Sequence, residues 1–153
     1  MVYENSSLRI VVDADACPVK KSIIKIARER DIPVVMVCDT SHEIRDEYST
    51  VIKVDKAKDS VDIALINFVK KGDIVVTQDY GVAAMALGKG IKVLNQNGLV
   101  YSDDNMDSLL FERHLGQKVR RAGGKSGNLR KRSPEDDEKF ENALLDLIKE
   151  AAE

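Results

Sequence analysis

Apolar residues fall in short continuous runs separated by polar stretches, and the runs are rich in β-branched side chains. Leu8 to Val12, Val34 to Cys38, Val51 to Val54, Ile74 to Thr77 and Ile91 to Leu94 each read as a strand. Because these runs are predominantly apolar and do not alternate, each strand is expected to be buried on both faces. Between them the period changes to that of a helix. Val19, Ile23, Ile26 and Ala27 recur at helical spacing after Pro18, which suits a helix's first turn. A second helix is expected from about Ser60, with Val61, Ala64, Leu65 and Phe68 on one face and Lys70-Lys71-Gly72 closing it. A short alanine-rich helix spans about Val82 to Leu87. Asn97-Gly98 is a hairpin turn signal that predicts a further strand at Leu99-Val100-Tyr101. Ser133-Pro134 caps a last helix with an acidic first turn and an apolar stripe of Phe140, Leu144, Leu147, Ile148 and Ala151.

Strands alternating with helices predict an α/β domain, a mostly parallel central sheet flanked by helices on both faces. At 153 residues the chain fits one domain, with residues 113–132 a basic segment and loop and residues 133–153 a C-terminal helix packed on it. No internal repeat is visible. Composition, 43% hydrophobic and 33% charged, excludes wholesale disorder. No apolar run approaches the ~18 residues of a membrane span, and no signal peptide precedes the first strand. Cys17 and Cys38 form no CxxC pair and suit a reducing cytoplasm, the expected location. Two histidines and two cysteines are too few for a zinc site.

The net charge of −2 conceals a segregation. Residues 1–112 carry 14 Lys and Arg against 18 Asp and Glu, residues 113–132 carry 8 against none, and residues 133–153 carry 2 against 8. The basic strip contains Arg113, His114, Lys118, Arg120, Arg121 and Lys125, followed by Arg130, Lys131 and Arg132. One reading is a solvated loop balanced by the acidic last helix. The other is a clamp for a nucleic-acid backbone, since Lys and Arg position phosphates without reading bases.

Open α/β sheets bind ligands beyond the carboxyl ends of their strands. Asp13 and Asp15 follow the first strand, Asp39 the second and Asp79 the fourth, while Asp59 and Asp62 lie one helical turn apart. Aspartate often caps helices and turns, and Asp39 is fully explained that way. If the strand ends meet, however, the remaining carboxylates would converge and repel unless a cation neutralised them. Hard oxygen donors select Mg²⁺ or Mn²⁺, which serve in-line phosphoryl displacement.

Three sharper motifs fail. Asp13-Ala14-Asp15 has the acidic pair of haloacid-dehalogenase-type phosphatases, yet Pro18 starts a helix where that fold needs a flap. Cys17 lacks the arginine a cysteine phosphatase needs six residues on, where Ile23 stands, and reads as a packed helix-start residue. Gly124-Lys125-Ser126 lacks the earlier P-loop glycine, Val119 standing there, and no strand precedes it.

The block Val11-Val12-Asp13-Ala14-Asp15-Ala16-Cys17-Pro18-Val19 resembles the YaiI/YqxD family of bacterial proteins. So do Asp59 with Asp62, Val76-Thr77-Gln78-Asp79-Tyr80-Gly81, and Arg113-His114 through Arg120-Arg121-Ala122-Gly123-Gly124. The resemblance covers nearly the whole chain. It implies a three-layer PIN-like fold, with residues 1–153 a single PIN-like domain and a carboxylate-lined Mg²⁺/Mn²⁺ site. Within it Asp13 takes the first acidic position, Asp59 or Asp62 the helix position and Asp79 the later strand-end position; Asp15 is an addition shared within this family. The chain departs from the family's usual Gly-Pro after the glycine-rich stretch, carrying Ser126-Gly127-Asn128. The expected function is a divalent-metal-dependent, ribonuclease-like phosphodiester hydrolase with RNA favoured over DNA. Asp13, Asp15, Asp62 and Asp79 would be its catalytic metal ligands, Asp59 their support, and Arg113, His114, Lys118, Arg120, Arg121 and Lys125 its nucleic-acid contacts. A non-catalytic metal- and RNA-binding module and a small-molecule phosphatase are the alternatives.

Overall fold

The computed structural model describes residues 8–39, 46–55, 60–121, 123 and 131–152, apart from the side chains of residues 120 and 121. In chain order its elements are β1 (Ile10–Asp13), α1 (Lys20–Glu29), β2 (Val34–Asp39), β3 (Thr50–Val54), α2 (Val61–Phe68), β4 (Ile74–Val76), α3 (Tyr80–Gly88), β5 (Lys92–Leu94), α4 (Asp103–Arg121) and α5 (Pro134–Ala152). The five strands form one sheet in the order β3-β2-β1-β4-β5, and every pairing is parallel.

The strand runs are predominantly apolar because the strands feed two cores, with Lys53 of β3 and Lys92 of β5 exposed on the two edge strands. Ile10, Val12, Val34, Met36, Cys38, Ile74, Val76 and Leu94 face α1 and α5, where they meet Ile23, Ile26, Ala27, Phe140 and Leu144. The alternate positions Val11, Val35, Val37, Val75 and Val93 face α2, α3 and α4, meeting Leu65, Val82, Ala83 and Met106. Side chains that alternate across a strand thus build a three-layer sandwich from predominantly apolar strands. Helix α5 joins the first core through the stripe read from its sequence, and Ser22 of α1 donates to Glu141 at 2.7 Å.

Two elements differ from the sequence reading. Leu99–Tyr101 is no strand; it makes a single antiparallel bridge, Leu94 with Val100. The Asn95 side chain accepts from the backbone N–H of Asn97 and of Leu99, both at 2.9 Å, so this carbonyl occupies donors that a hairpin ladder would use. The loop also lies directly against α5. Gly98 has φ +86°, and a Cβ there would stand 2.6 Å from the Lys139 carbonyl of α5. The second difference is α4, which the hydrophobic pattern does not announce. Met106 is buried and Leu109 partly so, while Leu110, Phe111 and Leu115 point to solvent. Its start is nevertheless encoded. The Ser102 hydroxyl accepts from the Asn105 N–H at 3.2 Å, and the Asn105 side chain accepts from the Ser102 N–H at 3.0 Å, a reciprocal cap followed by Asp103 and Asp104 in the first turn.

Among the described residues no helix is long and apolar enough to cross a membrane.

Candidate functional site

The chain steps from β1 through β2 to β3 on one side, then returns past β1 to place β4 and β5 on the other. Neighbouring strands β1 and β4 therefore lead their connections away in opposite directions, and a crevice opens beyond their carboxyl ends. Its volume is about 750 Å³, and Asp13, Asp15, Asp62 and Asp79 all line it.

Each carboxylate arrives there for a local reason. Asp13 ends β1 and follows the pleat of Val11, so its side chain turns to the α2–α3 side of the sheet. Asp62 lies in the first turn of α2, behind the N-cap Ser60, whose hydroxyl accepts from the Ile63 N–H at 3.2 Å. Asp79 is the N-cap of α3, its Oδ1 accepting from the N–H of Gly81 at 2.8 Å and of Val82 at 3.1 Å. Glycine suits position 81, since a Cβ there would sit 3.1 Å from that oxygen. The capping reading of Asp79 is thus correct for one oxygen and compatible with a place in the crevice. Asp15 extends from the turn after β1 and accepts from the Asp39 N–H at 3.3 Å. That turn holds Ala16 at φ +60°, a left-handed conformation that costs a non-glycine residue about 1–2 kcal/mol. The Gln78 side chain secures it by donating to the Ala16 carbonyl at 2.9 Å.

Thr77 links two of the acids. Its hydroxyl donates to Asp13 Oδ2 at 2.8 Å and accepts from the Asp79 N–H at 3.0 Å. Burial raises the Asp13 pKa to about 6; the Thr77 hydrogen bond opposes the shift, and the Asp62, Asp79 and Asp15 charges add to it. Burial, and then Asp79, raise that of Asp62. Negative charge is concentrated here without enough compensation.

Apart from Arg113, the remaining walls come from residues the sequence reading did not single out. Asn95, Gln96 and Asn97 form one side, and Glu112, Arg113 and Gly116 of α4 another. The Arg113 guanidinium lies 5.9 Å from the centre of the Tyr80 ring, which meets Tyr101 edge-on at 6.1 Å. Tyr101, its pKa pushed up to about 12 by burial and by Tyr80, donates to the Thr77 carbonyl at 3.3 Å. Ser102 followed by Asn105 is the sequence signal that could have located α4, and with it Glu112.

The structure divides the expected nucleic-acid contacts. Arg113 lines the crevice, whereas His114 and Lys118 are exposed elsewhere on α4. Asp59 and Lys125 lie outside the described residues, as do the side chains of Arg120 and Arg121. Arg132 is occupied structurally: it donates to Asp137 at 2.7 Å, to the Asn97 side chain at 2.9 Å and to the Gln96 carbonyl at 2.7 Å, tying the amide wall to α5. Cys17 packs against the first core, and burial raises its thiol pKa, which disfavours the thiolate a nucleophile needs.

Among the described residues no three His, Cys, Asp or Glu side chains form a ready-made cluster for an ion. The donor chemistry still fits Mg²⁺ or Mn²⁺, because such ions bind through one or two carboxylates, keep several waters and accept substrate phosphate oxygens. Asp13, Asp62 and Asp79, with Asp15 beside them, would be the residues to hold one.

Fold and crevice together define a doubly wound, all-parallel α/β protein with an acidic site at its topological switch point. Residues 11–150 match the sequence model described as "Uncharacterized BCR, YaiI/YqxD family", and the chain belongs to that family. A UPF0178 protein of Ruminiclostridium cellulolyticum is 70% identical over 146 residues, 95% of each chain. Similar proteins of Clostridium kluyveri and Clostridium tetani, also called UPF0178 protein, are 52% and 50% identical; the matches cover 92% and 94% of this chain and 93% and 99% of theirs. No solved structure matches.

Proposed function

We propose that the crevice hydrolyses phosphodiester bonds with the help of Mg²⁺ or Mn²⁺, and that RNA is its substrate ahead of DNA. The observation that carries this reading is the convergence of Asp13, Asp15, Asp62 and Asp79 on one crevice, with Asp13 raised to about 6 by burial and by its acidic neighbours. A fold tolerates such repulsion where a cation or reacting group relieves it. When bound, the ion would neutralise the acids, activate water and stabilise charge on the phosphate undergoing displacement. Thr77 holds Asp13 in one orientation, and the α3 N-terminus fixes Asp79 through one oxygen, leaving the other for the crevice. Arg113 brings a positive charge to the rim, where a phosphate flanking the cleaved bond would lie. The PIN-like kinship implied by the resemblance supports the same chemistry, and Arg120, Arg121 and Lys125 would extend the grip on the backbone.

The test is turnover of labelled RNA, DNA and a phosphomonoester with Mn²⁺ and with EDTA. EDTA-sensitive RNA cleavage that Asp13→Asn lowers at least about a hundredfold is expected, as is near-normal cleavage by Cys17→Ser. Binding of RNA without cleavage would make the protein a binding module. Turnover of the monoester alone would make it a phosphatase, and cleavage indifferent to Asp13→Asn would remove this crevice from the chemistry.

A further inference from the structure

Helix α4 presents a second side, away from the crevice. Glu112, Arg113 and Gly116 line the crevice, and Met106 and Leu109 turn to the core. At 100° per residue, Phe111 lies about 200° around the axis from Arg113. Phe111 is 64% exposed and Leu115 50%. They belong to a stripe of exposed residues three or four apart: Asp104, Asp107, Phe111, Leu115 and Lys118. From N- to C-terminus the stripe is acidic, then apolar, then basic. Its spacing is symmetric about Phe111, so it is complementary to itself only when reversed. A parallel copy would set acid on acid. A copy related by a two-fold axis near Phe111 sets Asp104 opposite Lys118 twice and each Leu115 beside the stem of Asp107, with the two phenylalanines at the centre. Asp103 in the first turn adds to the acidic end.

We infer that α4 is the seam of a homodimer, in which the helix packs antiparallel against α4 of a second copy through Phe111 and Leu115. An isologous contact of this kind pairs one patch with itself and closes without further growth. A 19-residue helix is only about 28 Å long, so the contact is at the small end of specific interfaces and its association should depend on concentration. The arrangement occupies Lys118 and the side of α4 that carries it, while the side bearing Glu112, Arg113 and Gly116 stays open to the crevice. It does not depend on the hydrolase reading.

Sedimentation velocity on the full chain across the micromolar range tests it. The mass should move from 17.0 kDa toward twice that value with rising concentration, and 1 M salt should weaken association. Phe111→Glu should remain monomeric, with its helix content checked by circular dichroism. Asp104→Lys and Lys118→Asp should each weaken association about tenfold, because every charge pair occurs twice, and the double change should restore it. A monomer at every concentration overturns the inference, as does a dimer indifferent to Phe111→Glu. A dimer that Phe111→Glu breaks but the paired charge change does not rescue overturns the antiparallel register.

Discussion

Strands β1 and β4 lie side by side, and each end of the pair carries a buried or half-buried aspartate. At the amino end Asp73 is 1% exposed, and its environment answers its charge. Arg9 donates to it at 2.8 Å and the Lys70 N–H at 2.9 Å, while the Arg9 guanidinium rests 4.2 Å from the centre of the Phe68 ring. At the carboxyl end Asp13 receives a single hydroxyl hydrogen bond and faces three further carboxylates. One residue type on the same two strands thus serves two purposes. A paired aspartate holds the fold together; a crowd of aspartates stores unfavourable energy that a cation could release. What separates them is the partner set: Asp73, the more buried of the two, is answered by Arg9, whereas burial and acidic neighbours together oppose the charge of Asp13.

Removing the paired acid should have the largest effect. Asp73→Ala strands a partly buried guanidinium and an unsatisfied N–H, and should cost about 3 kcal/mol, the low end for a broken buried pair because Arg9 retains some solvent. At this size that corresponds to about 6–12 °C in Tm. Urea unfolding showing less than about 1 kcal/mol would erase the contrast between the two ends.

Metal should act at the other end alone. Mn²⁺ at about a hundred times its dissociation constant should stabilise the wild type by about 2.7 kcal/mol. Asp13→Asn should abolish that gain, and thermal melts with and without the ion decide it. A variant that keeps the full gain would remove Asp13 from the ligand set.

A somewhat smaller effect is expected without metal. The Asp13 pKa rises from 3.8 to about 6 on folding, so the native state binds the proton more tightly than the unfolded chain. Its ionisation therefore destabilises the fold fully above about pH 6 and not at all below about pH 4. Two pKa units correspond to just under about 3 kcal/mol, and the open, solvated crevice reduces this to about 1–2 kcal/mol. Asp13→Asn should accordingly stabilise the apo protein by that amount at pH 7 and by nothing near pH 4. Urea titrations at pH 7, 5 and 4 provide the check, and a loss of stability at pH 7 would show Asp13 to be a structural acid like Asp73.

The smallest change is at Thr77. Thr77→Val removes the hydrogen bond that favours the ionised form, so the Asp13 pKa should climb further above 6, by about a unit or less. A carbon-detected NMR titration of the aspartate carboxyls would show it. No movement would mean that the hydroxyl does not govern this carboxylate.

Much of the fold was legible because its causes are local. Five β-branched, predominantly apolar runs became five strands with a helical layer on each face. The acids at the ends of β1 and before α3 could be placed for the same reason: a strand end is visible in sequence, and Asp79 carries the signature of a cap as well. Helix α4 escaped because its apolar residues do not form one buried stripe. Hydrophobic periodicity detects a helix by what it buries, and α4 buries Met106 while leaving Phe111 and Leu115 in solvent. The basic strip looked uniform for a related reason. Charge counting ignores direction, yet five residues along the helix, about 140° around its axis, send Arg113 to the crevice and Lys118 away from it, and Arg132 is spent on the Asn97 wall.

By itself the sequence determined most of the elements, their parallel arrangement, the family and the set of acids available to a site. These follow from nearest-neighbour chemistry and from which residues water rejects. Tertiary structure alone decided which acids meet. The strand order brings β1 beside β4, and that adjacency places Asp13 among Asp62 and Asp79 while Asp73, one strand length away, finds Arg9. Electrostatic energy depends on distances through space, and a linear chain does not state them until the sheet has chosen its order.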